Sequence, residues 1–125
     1  MSTQTISKKL INKYKTAYMK SRKKNHAKHP KWYENYDETK DEYHIAKLKA
    51  FDNDDSILDT YALQGYTYFN YLVMIFILHH NMNAVIKGIE KYGASNFQWF
   101  YTMAIESQCD ETLLNYLRSK AKCHK

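Results

Sequence analysis

Catalysis or metal binding needs side chains that give and take protons, attack carbon or hold an ion, and this 125-residue chain has few at useful spacings. His79 and His80 end an apolar run, and Glu106, Cys109 and Asp110 follow further on. A histidine beside a buried cysteine would draw off its proton and leave a nucleophilic thiolate. At the end of a helix the same histidine more simply faces the negative end of the dipole, and that reading is adopted. His26 and His29 stand three apart and could share one turn, but no neighbouring Cys or carboxylate completes a ligand set, so they read as solvent-facing loop histidines. Cys123 and His124 could join His79 and His80 on a metal, although nothing fixes their geometry. No Gly-rich phosphate loop, nucleophile elbow, HExxH or CxxC pair occurs, and three glycines leave no room for a nucleotide cradle. The expectation is a non-enzyme with no catalytic residue, cofactor or metal.

The charges are organised more clearly. Residues 1–33 hold ten Lys or Arg and no acid, while residues 34–125 hold nine basic and thirteen acidic side chains. The chain reads as a basic arm, residues 1–31, on a mildly acidic helical domain, residues 32–125. Such an arm suits a polyanion, an anionic membrane surface or an acidic protein. Its candidate phosphate contacts are Lys8, Lys9, Lys13, Lys15, Lys20, Arg22, Lys23 and Lys24. Solvation of a surface helix explains the same lysines without any partner.

These side chains need elements to position them. Thr3 or Thr5 can cap a first helix in which Ile6, Leu10, Ile11, Tyr14, Ala17 and Tyr18 recur at helical spacing, giving an amphipathic, basic N-terminal helix. The pattern fades from Asn25 to Lys31, where Pro30 biases His29 away from helix, and a connector is expected. Residues 34–59 form an acidic linker with a short helix around Tyr43–Phe51. The Asp52–Asp55 cluster lacks the ligand spacing, glycine and closing glutamate of a calcium loop, so it reads as a turn and cap. Thr60–Ile86 is 27 residues without a formal charge, and Tyr71–Leu78 is apolar throughout. That length favours a core helix from about Ser56 to His80, broken near Gly65, or a membrane span over 61–78. Further helices are expected at 84–91, 97–107 and 111–121, with residues 56–121 as the helical core. Few glycines and one proline point to an all-α fold, a small bundle of about five to six helices.

Two helix-turn-helix units in the last sixty residues are offset by 28 positions, which pairs Ile77 with Ile105, Val85 with Leu113, Ile86 with Leu114 and Ile89 with Leu117. Gly65–Thr67 and Lys91–Ser95 resemble the two ends of an ankyrin repeat, and Ala104–Ser107 resembles its first helix. Residues 60–121 thus resemble the degenerate ankyrin-like helical repeats of multigene-family proteins in large DNA viruses such as asfarviruses. The resemblance implies stacked helical hairpins that present a binding surface, in a family with members implicated in damping host defence. Tyr68 and Phe69 depart from the Pro and Leu of the pattern, the first unit is overlong, and Lys120–Ala121 has lost the glycine. Stacking would bury Val85, Ile86, Ile89, Leu113, Leu114 and Leu117 and leave Tyr92, Gln98, Trp99 and Gln108 at the surface as a protein interface.

The resulting expectation is a non-enzymatic interaction protein that binds a protein partner through a helical surface, with the basic helix as its electrostatic contact. The alternatives are a single-span membrane subunit of a larger complex and nucleic-acid binding through residues 1–31. Two cysteines without a CxxC pair, and no early apolar run that would serve as a signal, make the cytoplasm the expected location, with a membrane or mitochondrial site as the alternative.

Overall fold

A helix that is apolar on every side must be enclosed, and this fold is arranged to enclose one. The structure, a computed structural model, describes residues 3–60 and 66–123, with side chains for 5–60 and 69–122. The described residues are all-α: α1 (Thr3–Lys28), α2 (Glu42–Phe51), α3 (Ile57–Thr60), α4 (Tyr66–Leu78), α5 (Met82–Glu90), α6 (Phe97–Glu106) and α7 (Glu111–Cys123). Two 3-10 turns, Pro30–Tyr33 and Glu38–Lys40, join α1 to α2. The described residues form seven α-helices where five to six were expected, because the segment expected as one core helix from Ser56 to His80 supplies two, α3 and α4, the first only four residues long.

The centre is α4, whose residues Leu72 to Leu78 are all fully buried. Helices α2, α5 and α6 and the middle of α1 pack around it. Seven successive side chains out of water explain the uninterrupted apolar run, and burial of each Leu, Ile, Val, Met or Phe contributes roughly 1.5–3 kcal/mol before entropy is subtracted. Among the described residues no helix is long and apolar enough to cross a membrane. The expected break at Gly65, the side chains of Tyr61, Tyr66 and Tyr68, and the Cys123–His124 pair lie outside what is described.

The last two hairpins, α4 with α5 and α6 with α7, meet through α4 and α6. Each tight turn ends in a left-handed residue, His80 at φ 57° and Gln108 at φ 56°. Each next helix is then capped by a side chain that accepts from a backbone N–H, Asn81 from Ala84 and Asp110 from Leu113. The expected turn at 81–83 is therefore shorter: Met82 and Asn83 already belong to α5. Of the 28-residue pairs, Val85 with Leu113 and Ile89 with Leu117 are buried on both sides, and Ile86 and Leu114 are half-buried. Ile77 and Ile105 do not match, since one is fully buried and the other 52% exposed.

Helix α1 departs most from expectation. It continues three residues past Asn25, whose carbonyl accepts from His29 N–H, and stops where Pro30 begins the first 3-10 turn. Its apolar stripe is no free arm: Leu10, Ile11, Tyr14 and Tyr18 pack against the core, and Ser7 is buried. Removing residues 1–31 would uncover one side of α4.

Candidate functional site

Because α1 turns its apolar stripe inward, its lysines face out by geometry alone. At about 100° per residue, Lys9, Lys13, Lys20 and Lys24 fall within an arc of about 60° and span about 22 Å of axis. All four are exposed, as are Lys8 and Lys23 beside them. Among the described residues none of these six lies in an ion pair; Lys13 reaches only over the neighbouring Tyr14 ring, at 5.9 Å. Lys15 is half-buried against the helix.

Arg22 does not belong to that set, which corrects its expected role as a phosphate contact. Its side chain is 16% exposed and points into the body, 3.4 Å from Glu38 and 3.9 Å from Asp41, while Nη2–H donates to the Tyr36 hydroxyl at 3.1 Å. Asp41 is held from several sides: Tyr36 donates to it at 2.5 Å, and the Tyr43 and His44 N–H groups donate to it as the N-cap of α2. Burial alone would raise this carboxyl, but those hydrogen bonds and Arg22 hold it below the usual range. The acidic linker thus consumes the one arginine of α1 and leaves the lysines.

Between α1, the first 3-10 turn and α2 lies a cleft of about 310 Å³, with Tyr18, Arg22, His26, His44 and Lys47 in its wall. Burial pushes the Tyr18 phenol up to about 12, so it stays protonated and donates to His44 Nδ1 at 2.6 Å. His44 is buried and its pKa is lowered, by that burial first and by the Arg22 charge second, which keeps the ring a neutral acceptor. Lys47 is likewise depressed by burial, its ammonium sitting 4.9 Å over Tyr18 and 5.1 Å over Tyr71. These contacts fix α1 against α2. His26 Nε2 is buried there without a hydrogen-bond partner among the described residues, its ring stacked on Tyr33 at 3.7 Å.

The residues singled out for proton chemistry have structural partners. His79 Nε2–H donates to the Phe51 carbonyl at 2.8 Å, and His80 Nε2–H donates to the Ser107 carbonyl at 2.7 Å and lies 2.9 Å from Ser7 Oγ. Both histidines tie adjacent turns together. Cys109 is buried, with Sγ–H donating to the Ile77 carbonyl at 3.4 Å, and burial raises its pKa, opposite to what an attacking thiolate needs. No group of three metal-ligating side chains occurs among the described residues.

The expected protein interface is scattered. Gln98 and Gln108 are exposed, but Trp99 is half-buried against the core with its ring beside Phe100, so the expectation of an exposed Trp99 is corrected. Tyr92 is half-buried, stacked on Phe69 at 5.0 Å, and donates its hydroxyl to Asp59, which also pairs with Lys87 and Lys91. The tryptophan at the surface is Trp32, 72% exposed. Its place just after Pro30 and Lys31, outside any periodic pattern, was the available signal in the sequence. Compared with known proteins, the chain matches no family model, no curated protein and no solved structure.

Proposed function

We propose that this protein is a non-enzymatic binding module whose contact surface is the outer face of α1, and that its partner is an acidic macromolecule. One observation carries the reading: the apolar side of α1 is taken up by the core and the nearby acids Glu38 and Asp41 by Arg22, while Lys8, Lys9, Lys13, Lys20, Lys23 and Lys24 are exposed and, among the described residues, pair with no acid. Six like charges along one helix repel each other, and a row of anions relieves that repulsion while releasing its own counterions. Because the helix is anchored by its other side, the row is preformed, and less ordering entropy is lost on binding. A surface for a protein partner around Gln98 and Gln108, as the ankyrin-like resemblance implies, has less behind it, since Trp99 and Tyr92 are engaged within the fold.

The test is heparin binding at two salt concentrations by the full chain and by the variant with Lys9, Lys13, Lys20 and Lys24 all changed to Gln. Native protein should bind with an affinity that falls steeply between about 50 and about 200 mM salt, and the variant should bind weakly with a shallow dependence. Its thermal midpoint should barely move, since exposed substitutions change stability by about 0.5 kcal/mol or less. Equal binding by both proteins would reject the α1 face.

A further inference from the structure

Trp32 and the groups around it carry the reading one step further. We infer that the acidic partner of α1 is a single-stranded nucleic acid, and that Trp32 is the platform on which one of its bases stacks; this rests on the polyanion-binding role of α1. The indole is 72% exposed yet not loose. Its ring lies on the His29 imidazole with centroids 3.6 Å apart and planes 6° from parallel. The backbone beneath it is fixed by Pro30 at the start of the 3-10 turn, by Trp32 N–H donating to the His29 carbonyl at 3.0 Å, and by His29 N–H donating to Asn25 at 3.0 Å. With one face on His29, that degree of exposure leaves the other face open to solvent.

The platform stands in a basic setting. Lys28 and Lys31 precede it in the sequence and are exposed, and Lys24 lies one turn before Lys28 along α1, so cations lead up to the indole along the chain. A backbone tracked by lysines with a base placed on an aromatic face is how proteins hold single strands of any sequence. A duplex keeps its bases stacked on one another and has none to offer. A lipid surface is disfavoured because the apolar stripe of α1, Leu10, Ile11, Tyr14 and Tyr18, is packed against the core and cannot insert. An acidic polypeptide would answer the lysines but leave the open indole face without a matching group.

The chain has two tryptophans, so Trp99→Phe makes Trp32 the sole indole reporter. This protein is titrated with a thymidine oligonucleotide of about twelve residues, within the span that one small domain covers, and with heparin, polyglutamate, a mixed-sequence DNA duplex and phosphatidylserine vesicles. The oligonucleotide should quench Trp32, and heparin and polyglutamate should bind without quenching. Trp32→Ala, made in the native chain, should weaken oligonucleotide binding about tenfold to a hundredfold, leave heparin binding and the thermal midpoint unchanged, and be largely rescued by Trp32→Tyr. Equal loss for oligonucleotide and heparin, no loss for either, quenching by the duplex as strong as by the single strand, or a vesicle-induced blue shift would each overturn the stacking inference. Heparin binding that ignores the four-lysine variant would instead overturn the polyanion role itself, so the two failures are distinguishable.

Discussion

Replacing Gly88 with alanine sets two local rules against each other, and the structure says which prevails. Gly88 is buried in the last turn of α5, where helix propensity alone favours alanine by up to about 1 kcal/mol. A Cβ built on Gly88 would overlap Val73 Cγ2 of α4, far inside the roughly 3.5 Å at which two carbons meet comfortably. Val73 is fully buried, and a β-branched side chain in a helix has one strongly preferred rotamer, so it cannot swing away. The helices must part instead, and overpacking of that kind costs about 1–3 kcal/mol. Gly88→Ala should therefore lower stability by up to about 2 kcal/mol net of the propensity gain, which is a fall of up to about 8 °C in midpoint for a chain of this length. Urea unfolding followed by far-ultraviolet circular dichroism measures it. Val73→Ala removes the clashing methyl, so the double variant should be at least about 1 kcal/mol more stable than the two single losses added together. A stabilised Gly88→Ala protein, or strictly additive losses, would refute this close packing of α4 on α5.

Two further outcomes follow from buried titratable groups. His44 and His79 have pKa values lowered chiefly by burial, so below the ordinary histidine value of about 6.5 the unfolded chain takes up protons that the folded chain refuses. Stability should hold above that pH and decline as pH falls below it; His44→Gln with His79→Gln should flatten the decline, and a slope surviving in that variant would assign it to other groups. Cys109 is buried with a raised pKa, so in a Cys123→Ser background it should react with an aromatic disulfide reagent only at the rate of unfolding. Fast labelling of the folded protein would show that the turn between α6 and α7 opens by itself.

The sequence by itself determined the all-α class, since three glycines and one proline leave helices as the economical arrangement, but for the apolar run Tyr71–Leu78 it left a core helix and a membrane span both open. It also determined the division of charge and the two faces of α1, because helical period is local and readable from residue types. It did not say what covers the apolar face of α1. The answer is the chain's own core, and it depends on residues far away in sequence, with Ser7 beside His80 and Tyr14 reaching Met103. The same distance effect hid the fate of Arg22, which looks like its lysine neighbours until Glu38, Asp41 and Tyr36 are folded back against it. Trp99 is half-buried where exposure was expected, and Trp32 stands exposed, for a related reason: a side chain's exposure depends on what packs over its helix or turn, which composition does not encode. Periodicity fixes which side of a helix is apolar, and only tertiary packing decides whether that side is spent inside the fold or left for a partner.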